Sequence, residues 1–344
     1  MRNAFDMVAP QQEEVPMGYG IRNDLREQFD EAFRVGRFVW PKSKQEAGRM
    51  RKAWRRGDLV RLARRVYALR EQLDTLNPIE RELYTIRTLA ALYPSWVFSH
   101  TSAAVVHNLE VGYGQLGTIH VACNIKSHTR SRGNICRHVI NSDSFAQVDG
   151  INVTSLERTT FDCMRTGRFP RALAIADSAL RKTGKDVGHF VEAFERLHGA
   201  HENKRRPIEI MAYADGRAEN GGESVARASM IKLGYEVPDL QVEVPNLFDR
   251  TQPYRVDFYW DLKSGPVAGE LDGHNKYVDH AMTKGKSMLE VFSDERLRES
   301  RISGSDVRVM RFSYTDVRNY KLFGHLLDVF GIPGNRPVPP IALT

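Results

Sequence analysis

The sequence predicts a multidomain chain of mixed α/β class, and three observations carry that prediction. Its 344 residues exceed one ordinary domain, since roughly 150 residues per domain implies two or three. Short runs rich in β-branched residues, such as GTIHVAC, GINVTS and YRVDFYW, alternate with helical segments such as SLERTTFDCMRTG and PRALAIADSALRKTG. Composition also shifts along the chain, from a basic early segment to a mixed middle and then to strands that carry acids. With 41% hydrophobic and 27% charged residues the chain can bury ordinary cores, which excludes disordered and fibrous classes.

Compartment follows from what the chain lacks. No apolar run approaches the ~18 residues of a membrane helix. The opening MRNAFDMVAPQQEEVPMGYG has no apolar leader core and carries two adjacent glutamates. Cys123, Cys136 and Cys163 are odd in number and show no CxxC spacing, which favours reduced thiols over a disulfide framework. These features predict a cytoplasmic protein with no membrane partner.

Residues 1–24 read as an N-terminal tail, and the first domain as residues 25–75. A helix over RNDLREQFDEAFRVG stops at Gly36. In SKQEAGRMRKAWRRG, Ser43 and Glu46 have capping-box spacing, and Ala47, Met50 and Trp54 share a face, so a helix is expected from about 43 to 56, ended by Gly57. LVRLARRVYAL then reads as a two-stranded wing. Net charge is +7, and the stretch Arg49–Arg65 alone carries that excess: Arg49, Arg51, Lys52, Arg55, Arg56, Arg61, Arg64 and Arg65 against Asp58. A short basic helix followed by a basic hairpin outlines a winged helix-turn-helix, with the helix suited to a major groove and the wing to phosphates. The competing reading of such a run is a solvated helix face.

Residues 76–185 form a mixed α/β region. NPIERELYTIRTLAALYP and SHTSAAVVHNL read as helices, GTIHVAC, ICRHVIN and GINVTS as strands. Ser155 and Pro170 open the next two helices, and Gly167 and Gly184 close them. His120, Cys123, His128, Cys136 and His138 crowd this region. Alternation in TIHVAC sends His120 and Cys123 to opposite faces, and no pair has finger-like spacing, so these side chains read as packing or surface groups and not as a zinc site.

Residues 25–183, through RRGDLVRLARRVYAL, FSHTSAAVVHNL, GTIHVAC, GINVTSLERTTFDC and ALAIADSALRK, resemble the AbiEi family of antitoxin-like proteins. The resemblance implies a winged helix joined to an α/β domain, DNA as partner, repression of a toxin–antitoxin operon, and a cognate toxin encoded nearby. One departure is RRVY, which stands where such proteins usually carry a glycine in the wing and predicts a reshaped turn before Val66.

Residues 186–218 are polar and broken by Pro207 and Gly216, as expected of a helical connector with a domain boundary near 216–220. The last domain then spans 219–330, and residues 331–344, with four prolines, form an extended tail. ESVARASMIKLG is an amphipathic helix with Val225, Met230, Ile231 and Leu233 inward and Glu223 in its first turn, where an acid also favours the helix dipole. YEVPDLQVEVP, YRVDFYW and PVAGELDG are strands. In the second, alternation places Val256, Phe258 and Trp260 on one face and Asp257 on the other. In the third, Glu270 and Asp272 share a face. If these strands pair, the three acids point into one pocket. Burying them uncompensated costs several kcal/mol per charge, which calls for a hard cation such as Mg²⁺ or Mn²⁺. The alternative is an edge strand with its acids in solvent.

This half resembles the PD-(D/E)XK nuclease superfamily, and within it the Vsr-like domain found at the C-terminus of actinobacterial AbiEi-like proteins. The residues that match are Glu223, Asp257 in RVDFYW, Glu270 and Asp272 in GELDGHNKY, and a late helix SDERLRESRI before VRVMRF. The resemblance implies a restriction-endonuclease-like mixed sheet flanked by helices, metal held by Asp257, Glu270 and Asp272, and DNA phosphodiester hydrolysis. The superfamily lysine two residues after the glutamate is Asp272 here. Either Lys276 supplies the ammonium, completing a catalytic set of Glu223, Asp257, Glu270, Asp272 and Lys276, or hydrolysis is weak or absent and the chain is a repressor. His274 and the late-helix Arg298 and Arg301 are secondary candidates for proton donation and phosphate contact.

Overall fold

The computed structural model describes residues 23–123, 131, 133–140, 145–197, 204–249, 251–272, 301, 304 and 306–343. The protein is a mixed α/β chain of two compact units, divided between Leu92 and Tyr93. Among the described residues no helix is long and apolar enough to cross a membrane.

The first unit runs α1 (Asn23–Arg34), α2 (Lys44–Arg56), β1 (Leu59–Ala63), β2 (Val66–Leu69), α3 (Arg70–Asp74) and α4 (Pro78–Leu92). α2 starts where its sequence dictates. Ser43 Oγ accepts the Glu46 N–H at 3.1 Å, and the Glu46 carboxylate reaches back to the Lys42 N–H at 2.7 Å, one residue beyond the usual capping-box partner. Gly57 ends the helix at φ +90°, a left-handed conformation that glycine adopts without a Cβ penalty. Met50 and Ala53 bury the inner face of α2 against Leu25, Phe29, Val39, Leu59, Tyr67 and Leu69. β1 and β2 pair antiparallel, and Val39 bridges to Tyr67, so a short third edge supports the hairpin.

The hairpin turn is Arg64–Arg65. Arg65 takes φ +67°, the conformation a glycine would adopt freely, and its guanidinium donates to the Pro41 carbonyl at 2.8 Å. The turn thus holds an arginine in strained backbone, at roughly 1 kcal/mol.

The second unit holds two sheets. The first has the order β5-β4-β3-β7-β6, built from β3 (Val97–Phe98), β4 (Ile119–Cys123), β5 (Ile135–Val139), β6 (Phe145–Val148) and β7 (Ile151–Thr154). Its helices are α5 (His100–Val106), α6 (Leu156–Thr166) and α7 (Phe169–Thr183). Ser155 caps α6 by accepting the Arg158 N–H at 3.2 Å, and Gly184 closes α7 at φ +64°. α8 (Val187–Arg196) and α9 (Arg205–Met211) follow, then α10 (Gly221–Leu233). The second sheet has the order β11-β10-β9-β8, from β8 (Asp239–Val244), β9 (Tyr254–Trp260), β10 (Val267–Asp272) and β11 (Arg308–Ser313). It is mixed, with β10 and β11 parallel and the other pairs antiparallel. α12 (Tyr314–Arg318) and α13 (Tyr320–Val329) complete the unit. One core joins Val225, Ala226 and Met230 of α10 to Leu240, Phe258, Trp260, Val267, Met310 and Phe312 of the sheet and to Val317, Phe323 and Leu327.

Three features add to the expectations. The stretch near 216–220 is bridged by packing and by charge. Ala174 of α7 belongs to the core of the second sheet, and a buried ion pair ties α7 to α10: Arg227 Nη2 donates to both Asp177 oxygens, at 2.9 and 2.8 Å. The proline-rich end is extended but docked, since the Arg336 N–H donates to the Gly234 carbonyl at 2.9 Å and a terminal 3₁₀ turn buries Ile341 and Ala342. Finally, Val256 does not cluster with Phe258 and Trp260. It packs with Val244, Ala268 and Val307, and the change of face falls opposite Gln241 of β8, which takes φ +55°.

Candidate functional site

In the first unit, the helical spacing that buries Met50 and Ala53 turns Arg51, Lys52, Arg55 and Arg56 outward, all exposed. The wing adds Arg61, Arg64 and Arg65, also exposed, while Arg49 is half-buried. Several of these cations are already engaged. Arg56 pairs with Asp58 at 2.8 Å, the Arg61 guanidinium lies 4.0 Å from the Trp54 ring centre, Arg51 Nε donates to the Ala47 carbonyl at 3.3 Å, and Arg65 is tied to Pro41. Lys52, Arg55 and Arg64 have no such partner among the described residues. The result is a cationic face on one helix and the adjoining hairpin, with its apolar side fully committed to the core.

In the second unit, the four acids named from the sequence occupy neighbouring elements. Asn220 caps α10, and its side-chain amide donates to Glu223 Oε1 at 2.5 Å. Glu223 Oε2 accepts the Glu219 N–H at 2.7 Å and the Gln241 side-chain amide at 3.1 Å. Only 2% of Glu223 is exposed. Burial, reinforced by the negative charge of Asp257, pushes its carboxyl up to about 7. Asp257 itself accepts the Leu271 N–H at 3.0 Å, just past Phe258↔Gly269, the last pair of the β9–β10 ladder. The expected neighbouring of β9 and β10 is thus present.

The remaining acids behave differently. In the parallel register of β10 and β11, Glu270 lies beside Arg311 and Asp272 beside Ser313. Arg311 Nε donates to Asp272 Oδ1 at 3.1 Å, so the positive charge that compensates Asp272 is a guanidinium of the next strand. Glu223, Asp257, Glu270 and Asp272 do not bring three ligand oxygens within 4.8 Å of one another. Lys276 and His274 lie outside the described residues, as does SDERLRESRI apart from Arg301, whose guanidinium sits 5.3 Å from the Phe248 ring centre.

Among the described residues, the set of three candidate ligands whose atoms do lie within 4.8 Å of one another is His100, His120 and His138. The packing or surface role expected of the histidines in this region takes the form of one stacked group, in which His100 joins His120 and His138.

The chain is 30% identical over 230 residues to "Uncharacterized protein MT2308" of Mycobacterium tuberculosis strain CDC 1551, an alignment that covers 63% of this chain and 76% of the relative. "Uncharacterized protein Rv2248" of strain H37Rv matches to the same extent. The chain belongs to the family of these mycobacterial proteins. No protein-family model matches it. The names of both relatives state no activity, so the chemistry of this family member rests on its residues.

Sequence reasoning missed the histidine group because spacing within one strand carries no sign of its neighbour. β4 and β5 pair in parallel, with His120 beside Cys136 and Ala122 beside His138, which puts both histidines on one face. His100 arrives from β3, whose partner is also β4. The one legible clue is that His120 and His138 fall at matching phases of two adjacent predicted strands.

Proposed function

We propose that the chain is a DNA-binding protein whose second unit carries a divalent-metal-dependent, endonuclease-type phosphodiesterase centre. The observation that supports DNA binding is the outward arc of α2, where Lys52 and Arg55 are exposed, as is the wing residue Arg64, and none has an acidic partner among the described residues. Each phosphate such a side chain neutralises releases counterions, which drives binding regardless of base sequence. A helix of this kind suits the major groove, with the wing on the backbone. The reading belongs to a reducing cytoplasmic setting, consistent with three free thiols.

The support for the second half is electrostatic. Glu223 and Asp257 are close enough for mutual repulsion to raise the Glu223 carboxyl, and oxygen donors of this type fit Mg²⁺ or Mn²⁺. Asp257, Glu270 and Asp272 would hold the ion once their carboxylates turn toward one another and Asp272 leaves Arg311, with Glu223 on the ion or its water. When bound, such an ion activates water and offsets charge on a phosphate under attack. Of the protein groups, Glu223 is held protonated more readily than an ordinary carboxyl by burial and by Asp257 while the site is metal-free, and Asp257 is fixed by the Leu271 N–H. Lys276, by the nuclease resemblance, polarises the water or phosphate.

The test is a plasmid incubated with Mg²⁺: the native chain nicks it and Asp257→Ala spares it. Equal cutting by both rejects this centre. A second reading, an antitoxin-type repressor with an inactive nuclease-like domain and a nucleotidyltransferase-like toxin as partner, is favoured by the Arg311–Asp272 pair. A promoter footprint that survives EDTA, with no cleavage under any metal, decides for it.

A further inference from the structure

We infer that His100, His120 and His138 form a binding site for a borderline transition-metal cation, Zn²⁺ in the first instance. The fold builds the site from three neighbouring elements. His120 lies on β4 and His138 on β5, on the same face of a parallel pair, with His120 Nδ1 and His138 Nε2 2.8 Å apart. His100 opens α5 directly after β3, and the Ser99 N–H donates to the His120 carbonyl at 3.0 Å, which holds the turn beside β4. The His100 and His138 rings lie 3.7 Å apart between centres, and His100 and His120 5.5 Å.

An independent observation points to a ligand. His100 is 3% exposed, and its Nε2 has no hydrogen-bond partner. Buried polar nitrogens are almost always satisfied, and one left open needs a reason. Its other nitrogen, Nδ1, is 3.2 Å from Ser99 Oγ. A hydrogen bond there fixes the ring and leaves the Nε2 lone pair as a ligand, the arrangement that outer-shell partners give to metal-bound histidines. The backbone of His100 is held at φ +49°, an uncommon left-handed conformation that concentrates at functional sites.

The donor set selects the metal. It contains no carboxylate, so it suits Zn²⁺, Co²⁺, Ni²⁺ or Cu²⁺ and not Mg²⁺ or Ca²⁺, which take oxygen ligands. Burial depresses all three imidazoles, His138 to about 4, so they are neutral and ready to bind at neutral pH. Arg158 and Arg165 also bear on His100, but both lie against Asp162, at 2.8 and 4.0 Å, which limits their repulsion of a cation. Tetrahedral geometry with metal–nitrogen bonds near 2.0 Å requires nitrogens about 3.4 Å apart, so metal binding replaces the His120–His138 hydrogen bond and turns the stacked rings until their lone pairs converge. His120 and His138 are half-exposed, which leaves the fourth position for water or an anion.

The full chain, stripped with a chelator, is titrated with Zn²⁺ by calorimetry and with Co²⁺ by visible absorption. One equivalent of each is expected to bind, with Co²⁺ giving the strong visible bands of a four-coordinate centre. His120→Asn and His138→Asn, conservative changes at half-exposed positions, are expected to lose at least about 100-fold in affinity. His189→Ala, at a surface histidine that pairs with Glu157, is expected to bind as the native chain does. The native chain alone overturns the inference if it takes up no Zn²⁺ at micromolar concentration, or if its Co²⁺ bands are the weak ones of a six-coordinate ion. Undiminished uptake by both asparagine variants overturns it as well.

Discussion

Replacing Glu223 by glutamine tests the electrostatics of the acid site without requiring substrate or metal. The carboxyl is held at about 7, against an ordinary 4.5, by burial and by Asp257. At about 1.4 kcal/mol per tenfold, that displacement corresponds to roughly 3 kcal/mol. The sign is set by the folded protein binding the proton more tightly than the unfolded chain. The contribution is present in full below 4.5 and is lost as pH rises through 7. Glu223→Gln removes the titration, but its amide nitrogen must face either the Glu219 N–H or the Asn220 amide, a donor against a donor, at about 1 kcal/mol. The variant should therefore be about 2 kcal/mol more stable than the native chain at pH 8, and slightly less stable at pH 4.5. Urea denaturation of both proteins in EDTA, at pH 4.5, 6 and 8, reads the difference directly. Parallel pH profiles for the two chains would refute the reasoning, because the native slope would then originate elsewhere.

Other outcomes follow from features of both units. Asp177→Asn leaves the Arg227 guanidinium buried without its counter-charge and should destabilise the chain by about 3 kcal/mol or more, read as a lower urea midpoint. Gly57→Ala imposes a Cβ at φ +90° and should cost about 1–2 kcal/mol, seen as earlier thermal loss of helix signal. Lys52→Ala and Arg55→Ala should each weaken binding to any duplex and reduce the slope of log affinity against log salt by about 1, measured by fluorescence anisotropy. An unchanged slope would remove these side chains from the phosphate contacts.

Local chemistry was readable from the sequence where it is written locally. Ser43, Gly57, Ser155 and Gly184 cap helices because hydroxyls accept free N–H groups and glycine tolerates positive φ, and all four act as the sequence predicts. The nearness of Glu223 to Asp257 is what the nuclease resemblance implies, whereas spacing alone set Glu223 only in the first turn of its helix. What was not readable depends on partners distant in the chain. Arg311 compensates Asp272 across a parallel pair separated by a long segment, and His138 reaches His120 the same way. The faces of β9 change between Val256 and Phe258, opposite a β8 residue, Gln241, in a backbone conformation that glutamine rarely adopts. Nor does composition around residues 216–220 reveal that Asp177 and Arg227 meet across that stretch.

That last ion pair constrains how such proteins can be recombined. A fusion that joined the final sheet to a foreign partner at the glycines near 221 would carry the arginine along and leave its aspartate behind. Each fragment would inherit a stranded charge in an apolar interior. A viable breakpoint has to fall upstream of α7, or the graft must replace both members with matched nonpolar side chains. The part of this chain that can be exchanged as one piece is therefore set by a single buried contact, and it is larger than its glycine-rich seam suggests.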